Sequence, residues 1–288
     1  MSRKNEMYRA LLAKPAATLA ANIFDPLSAR IAQIVGYDLL VLSGSVGKAS
    51  NLAAPDIVIS TLPDVQDHIR RIARNTDIPI MVDAEDGFGN AVNVWRCVRE
   101  LEAAGVSGIE IEDNVVPRQF GVENPGLNPV ATQVGKLKAA VAARTDPTTV
   151  IVARTAAWGI DREHAVDRIK AYAATGAEAF MLTGAKSKAD IEATHRAAPN
   201  IPITILGSPP EVKDDTRFCS DNNLKIIMLG NPTYLVAVKS IHDTLKFLKD
   251  GGDAAQLKGK QADAELARQI IRTDKFEKWQ EEYMKQGN

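Results

Sequence analysis

The chain has 288 residues, of which 45% are apolar and 25% charged, and its 35 basic and 36 acidic side chains leave a net charge of −1. That apolar share supports a sizeable core and excludes a disordered or fibrous chain, while the length suits one large domain or two ordinary ones. The charge balance argues against a nucleic-acid binder or a polybasic membrane-surface protein.

Cys97 and Cys219 share no CxxC spacing, so neither a disulfide framework nor a structural zinc site is expected, and a reducing cytoplasm is the default compartment. Both fall in helix-like segments and read as packed and inert. No uninterrupted apolar stretch reaches the length of a membrane span. The N-terminal segment is broken by Lys14 and Pro15 and reads as a short helix followed by a strand rather than a signal peptide.

Eight short apolar runs follow in order: Thr18–Phe24, Tyr37–Ser43, Pro79–Asp83, Gly108–Glu112, Thr149–Arg154, Ala177–Thr183, Ile201–Leu206 and Leu224–Leu229. As a set they show near-continuous hydrophobicity rather than alternation, the pattern of strands buried on both faces. Helix-like stretches separate them, among them PLSARIAQIVG, NAVNVWRCVRELEAAG, REHAVDRIKAYAATG and NPTYLVAVKSIHDTLKFLKD. Gly36, Gly105 and Gly176 stand where helix C-caps are wanted. Eight strand–helix units predict a (β/α)8 barrel over residues 1–250. A doubly wound open sheet would also alternate, but no Gly-rich dinucleotide fingerprint follows the first strand. Residues 251–288 read as a linker and one or two amphipathic helices, which must bury their apolar stripe on their own barrel or on a neighbouring subunit.

In a barrel, functional groups come from the C-terminal strand ends. Ser43-Gly44-Ser45, Asp83-Ala84-Glu85-Asp86-Gly87, Glu112-Asp113-Asn114 and Arg154-Thr155 all fall there, and Asp56 lies in the loop between the second and third units. Crowded carboxylates need a cation or protons. An oxygen-only set without His or Cys suits Mg²⁺, or Mn²⁺, rather than zinc. Arg154 suits a substrate carboxylate or phosphoryl group. Each feature also has a plainer reading, with DAEDG and Glu112-Asp113 as acidic helix starts and Arg154 as an internal ion-pair partner. His68, His164, His195 and His242 fall in helix-like segments and read as solvated, so Ser-His-Asp chemistry has no footing. SGSVGKAS misses the Walker spacing.

At these residues the sequence resembles the isocitrate lyase / phosphoenolpyruvate mutase superfamily. FDPLSARIA, SGS, AAPD, VDAEDGFGN, IEIED with a following P-x-x-x-G, and VART occur in the family's order from Phe24 to Thr155, and GAEAFMLTG extends the match. Within the superfamily the chain is most similar to the branch containing oxaloacetate decarboxylase, through AAPD, the GFGN-type turn, the Gln119-Phe120-Gly121 loop and the WQEEYM tail. The resemblance implies a barrel whose last helix is exchanged between partners, a dimer-of-dimers homotetramer, Mg²⁺ and a 2-oxo acid substrate. It implies Asp83 as direct metal ligand, with Glu85, Glu112 and Asp56 holding the ion largely through water. It implies Ser43, Gly44 and Ser45 as a carboxylate-binding turn, and Arg154 facing the same oxyanion.

Departures from the family pattern narrow the chemistry. Phe120 stands where the isocitrate-cleaving lyases carry their acid/base cysteine, and Val122 where they carry a histidine. Asn124 stands in a different setting from the mutases' loop asparagine. Leu206 and Asn231 align with a Tyr and a His of the decarboxylase branch, and Asn231 can still donate a hydrogen bond, so it joins Arg154 as a candidate catalytic residue. Glu85 replaces a commoner Asp, and Asp86 adds a carboxylate. The resemblance implies decarboxylation of oxaloacetate or a close 2-oxo-dicarboxylate, needing no base for C–C cleavage, with the Asn114–Pro129 loop as a lid. The alternatives are C–P bond chemistry (phosphonopyruvate hydrolysis, or phosphoenolpyruvate or carboxyphosphonoenolpyruvate mutase reactions) and a non-catalytic protein that binds a metal and an oxo acid.

Overall fold

The structure is a computed structural model describing residues 2–117, 120–123, 126–207 and 209–285. Nine parallel segments form one sheet: β1 Thr18–Leu19, β2 Ala21–Asn22, β3 Leu40–Leu42, β4 Ile80–Asp83, β5 Gly108–Glu112, β6 Val150–Thr155, β7 Ala179–Leu182, β8 Ile203–Leu206 and β9 Leu224–Met228. β1 pairs with β9 and β2 with β3. Between them the Ala20 N–H donates to the Ile227 carbonyl at 3.0 Å and the Ala21 N–H to the Leu39 carbonyl at 2.9 Å. The first run is therefore one stave that passes from one neighbour to the other at Ala20, and it closes the sheet into the expected (β/α)8 barrel. An open doubly wound sheet is excluded by that closure.

The two-residue period decides what each strand offers. On β5, Ile109 and Ile111 join the outer core under the helices, whereas Glu110 and Glu112 turn inward toward Arg154. Val41, Met81, Val152, Met181 and Met228 fill the lower interior. The N-terminal helix Arg3–Ala13 closes the bottom with buried Tyr8, whose hydroxyl donates to Met81 Sδ at 3.2 Å. A Cβ on Gly108 would lie 2.6 Å from the Tyr8 ring, so glycine is required there. With the bottom plugged, the interior opens at the C-terminal rim.

Gly36 and Gly105 cap their helices in the left-handed conformation. Gly176 departs from its expected role: the Ala165–Ala173 helix is capped by Ala174, and Gly176 (φ 90°) supplies the turn beyond it. The last barrel helix, Pro232–Lys249, buries none of its residues, and Leu235, Val236 and Leu245 are about two-thirds exposed. The tail forms the helices Ala264–Ile271 and Thr273–Met284. Its buried Ile270 and its Arg272, which donates to Asn75 Oδ1 at 2.6 Å, fix it to the barrel's flank.

Candidate active site

Ser43, Gly44 and Ser45, expected as a turn, form the start of a helix, Gly44–Leu52, that begins directly after β3. The Gly44 N–H donates to Asp83 Oδ2 at 3.1 Å. A Cβ on Gly44 would lie 2.7 Å from Glu85 Oε1 and 3.0 Å from Asp83 Oδ2, so only glycine lets these carboxylates approach the helix. One turn on, the buried Lys48 ammonium binds Glu85 and lies 3.2 Å from Asp56. Glu85 holds a left-handed backbone (φ 53°), a conformation that costs energy for a residue with a side chain. Hydrogen bonds fix it from both sides: its N–H donates to Asp83 Oδ1 at 2.9 Å, and its carbonyl accepts from Glu112 N–H at 2.8 Å.

Arg154 rises from β6 into this cluster. One terminal nitrogen meets Asp83 at 2.9 Å and Glu110 at 2.6 Å, and the other lies 3.2 Å from Glu112. Asn114 donates to Glu112 Oε2 at 2.8 Å. Four carboxyl groups thus share two cations. Burial pushes Glu85 and Glu112 up to about 7, with the Asp83 charge adding to the rise. It pushes Glu110 up to about 8 against the pull of Arg154. Burial also acts on Asp83, but Arg154 and the Glu85 and Gly44 N–H groups outweigh it and hold that carboxyl below its usual range.

Opposite the carboxylates, Asn231 Oδ1 accepts from Ser43 Oγ at 3.0 Å and from Asn22 Nδ2 at 3.2 Å, while Asn231 Nδ2 donates to Ser45 Oγ at 3.0 Å. All of these groups line one cavity of about 590 Å³, whose remaining wall includes Ile57, Ile59, Phe120, Val122, Leu206 and Met228.

The expected site residues therefore share one cavity: Ser43, Ser45, Asp56, Asp83, Glu85, Glu112, Arg154 and Asn231 line it, with Gly44 beneath. Asp56 sits at its mouth with a largely exposed side chain. Two rim acids turn away. Asp86 pairs with Lys136 at 2.8 Å, and Asp113 accepts from Thr155 and Tyr172 at 2.8 Å each. Arg118, Gln119 and Asn124 lie outside the described residues. Among those described, Asn114 and Leu127 bridge the base of the loop, and Phe120 at its tip is fully exposed.

Lys48 and Glu110 were not singled out from the sequence. The GIEIE alternation carries a signal for Glu110, because it shares the inward face with Glu112. Among the histidines one expectation fails. His68 is buried, with Nε2 2.8 Å from the Phe24 carbonyl, because its helix face packs inward against the barrel. Cys97 and Cys219 are buried and unpaired as expected.

Among the described residues no three His, Cys, Asp or Glu side chains converge as a ready-made metal cage. Arg154 and Lys48 stand between the carboxylates instead. The donor set nevertheless fits a hard divalent ion held by few direct protein ligands, because it is all oxygen and carries more carboxyl groups than its two cations balance.

A parallel (β/α)8 barrel that gathers its acidic side chains and Arg154 at the C-terminal rim has the layout of a barrel enzyme, whose active site sits at that face. Residues 8–249 match the family described as phosphoenolpyruvate phosphomutase, and the chain belongs to that family. Its relatives include an oxaloacetate decarboxylase of Bradyrhizobium diazoefficiens, 38% identical over 270 residues and 93% of each chain. Another, from Chromohalobacter salexigens, is 38% identical over 96% of this chain and 94% of its own. Among solved structures, a phosphonopyruvate hydrolase in complex with oxalate and Mg²⁺ superposes with a TM-score of 0.86 at 27% identity, covering 99% of this chain and all of that one. An oxaloacetate acetylhydrolase in complex with 3,3-difluorooxalacetate gives 0.82 at 25% identity over 95% of each chain.

Proposed function

We propose that the protein is a Mg²⁺-dependent carboxy-lyase, with Mn²⁺ as an alternative ion, that decarboxylates oxaloacetate or a close 2-oxo-dicarboxylate. The observation that carries this reading is the 38% identity to oxaloacetate decarboxylases over more than nine-tenths of both chains. The acidic rim supports it.

Asp83 is assigned as the direct ligand of the ion, with Glu85, Glu112 and Asp56 holding it through water. When bound, the ion would act as a Lewis acid on the 2-oxo group, drawing electrons from the bond that breaks. The Gly44–Leu52 helix start, with the Ser43 and Ser45 hydroxyls, and Arg154 are assigned to the carboxylate that stays with the product. Breaking the C3–C4 bond releases CO₂ and sends the bonding pair toward the 2-oxo oxygen. Solvent returns a proton to C3, giving pyruvate. Asn231, tied to Ser43, Ser45 and Asn22, orders the hydroxyls and can donate to the substrate. No basic side chain is needed for the cleavage.

A second reading has its own support. The likeness to a phosphonopyruvate hydrolase favours C–P cleavage in the same site. Mixing the protein with Mg²⁺ and either oxaloacetate or phosphonopyruvate separates the two. CO₂ and pyruvate from the first substrate support the decarboxylase. Phosphate from the second without CO₂ from the first supports the hydrolase.

The proposed assembly is a homotetramer, a dimer of dimers, in which Pro232–Lys249 covers a neighbouring barrel of residues 1–250, beside a tail of residues 251–288 whose Ile270 and Arg272 hold to its own barrel. The exposed apolar residues of that helix support it. No nucleic-acid or membrane partner is proposed, and no helix among the described residues is long and apolar enough to cross a membrane. The proposed compartment is the cytoplasm, on the two unpaired cysteines.

A further inference from the structure

The cavity is chemically two-sided. Its described polar groups come from the ends of β3 to β6, from Asn22 and Asn231, and from Asp56 at the mouth, whereas Ile57, Ile59, Phe120 and Val122, also at the mouth, and Leu206 and Met228 deeper in form an apolar side. The four mouth residues are 42% to 107% exposed, so each presents free apolar surface to whatever enters. Arg154 is the only cation among the described lining residues, and it already faces three carboxylates. No second cation among the described lining residues stands ready to meet another anionic end of a long substrate. Size points the same way. Pockets of about 300–1,000 Å³ hold drug-sized ligands, the 590 Å³ here falls within that range, and oxaloacetate has only nine non-hydrogen atoms.

We propose that the apolar side of the cavity takes an alkyl group of the substrate, so that the preferred class is a 3-alkyl-substituted 2-oxo-dicarboxylate rather than oxaloacetate itself. The proposal rests on the decarboxylase reading and specifies its substrate. The reaction is unchanged in its balance: the C3–C4 bond breaks, CO₂ leaves, and a solvent proton adds at C3. 3-Methyl-oxaloacetate thus gives 2-oxobutyrate. The 2-oxo and carboxylate end lies on the carboxylate–arginine side, and the C3 substituent lies against Leu206 and the mouth.

Two series test this. In turnover, kcat/KM for oxaloacetate and its 3-methyl and 3-ethyl homologues should rise about fourfold for each added methylene. In binding, the affinities of pyruvate, 2-oxobutyrate and 2-oxopentanoate, measured by calorimetry with Mg²⁺ present, should rise in the same order. Leu206→Asn should flatten both series, and Ile57→Asn, at the exposed mouth, should reduce the gain if the Leu206 variant fails to fold. A flat or falling kcat/KM series on an enzyme that turns over oxaloacetate overturns the alkyl proposal and leaves the decarboxylase reading standing. Absence of CO₂ from every substrate overturns the decarboxylase reading, and the binding series then decides alone, a rising order supporting the apolar subsite and a flat one overturning it.

Discussion

Arg154 on β6 reaches down beside the neighbouring strand β5 to Glu110 at 2.6 Å, while its other terminal nitrogen faces Glu112, its partner in register, at 3.2 Å. Glu110 is nearly inaccessible, so it anchors the guanidinium from within. Glu110→Ala should raise KM for a 2-oxo acid substrate about 10-fold or more, as expected when a supporting partner of a site residue is lost. Glu110→Gln should restore much of the loss, because the amide oxygen still accepts. Steady-state kinetics read the effect, and a thermal melt separates it from unfolding.

Gly44 allows two carboxylates to crowd a helix start. In Gly44→Ala the added Cβ would sit 2.7 Å from Glu85 Oε1 and 3.0 Å from Asp83 Oδ2, forcing both aside. We expect Mg²⁺ affinity and kcat/KM to fall about 10- to 100-fold. The backbone there is helical, so Tm should change little. Titrating Mg²⁺ against activity, alongside a melt, checks both statements.

The metal-free protein should lose stability as pH rises. Glu85 and Glu112 are raised to about 7 and Glu110 to about 8, above the ordinary 4.5. The folded state therefore binds more protons than the unfolded one, and the associated stability is present below pH 4.5 and lost through pH 7–8. His68 works in the opposite sense below pH 6.5, since burial lowers its pKa and disfavours its charged form. The window in which His68 no longer opposes the carboxyls is thus pH 6.5–8.5, where His164, held up by its hydrogen bond to Asp161, adds a fall of the same sign. Melts in EDTA should show Tm falling across it, and saturating Mg²⁺ should flatten the slope.

The exposed face of Pro232–Lys249 predicts assembly. Leu245→Asp, on a side chain 64% exposed, should shift the protein to smaller species in light scattering. An unchanged mass would show that this face does not hold the assembly together.

Much of the fold was legible because most of the buried parallel strands are near-continuously apolar. GIEIE matches β5 end to end, and the other runs overshoot their strands by one to three residues at an end. The division of the first stave at Ala20 was not legible, because it depends on which neighbour each backbone group meets. The rim was legible as carboxylates at strand ends. Its internal cations were less so. Arg154 shows equally as a substrate ligand or an ion-pair partner, and Lys48 belongs to a residue type that is seldom buried without a partner. Only the folded helix brings Lys48 against Glu85. His68 misled because a histidine on an amphipathic helix carries no sign of which face packs inward.

The central claim is that the Asp83 rim supports metal-dependent loss of CO₂. The most direct measurement is CO₂ and pyruvate release from oxaloacetate by the purified protein, with and without EDTA, beside Asp83→Ala. The account predicts equal amounts of both products with Mg²⁺, loss of release in EDTA, and a fall of at least about 100-fold in the variant. Full release in EDTA, or undiminished metal-dependent turnover by Asp83→Ala, would contradict it.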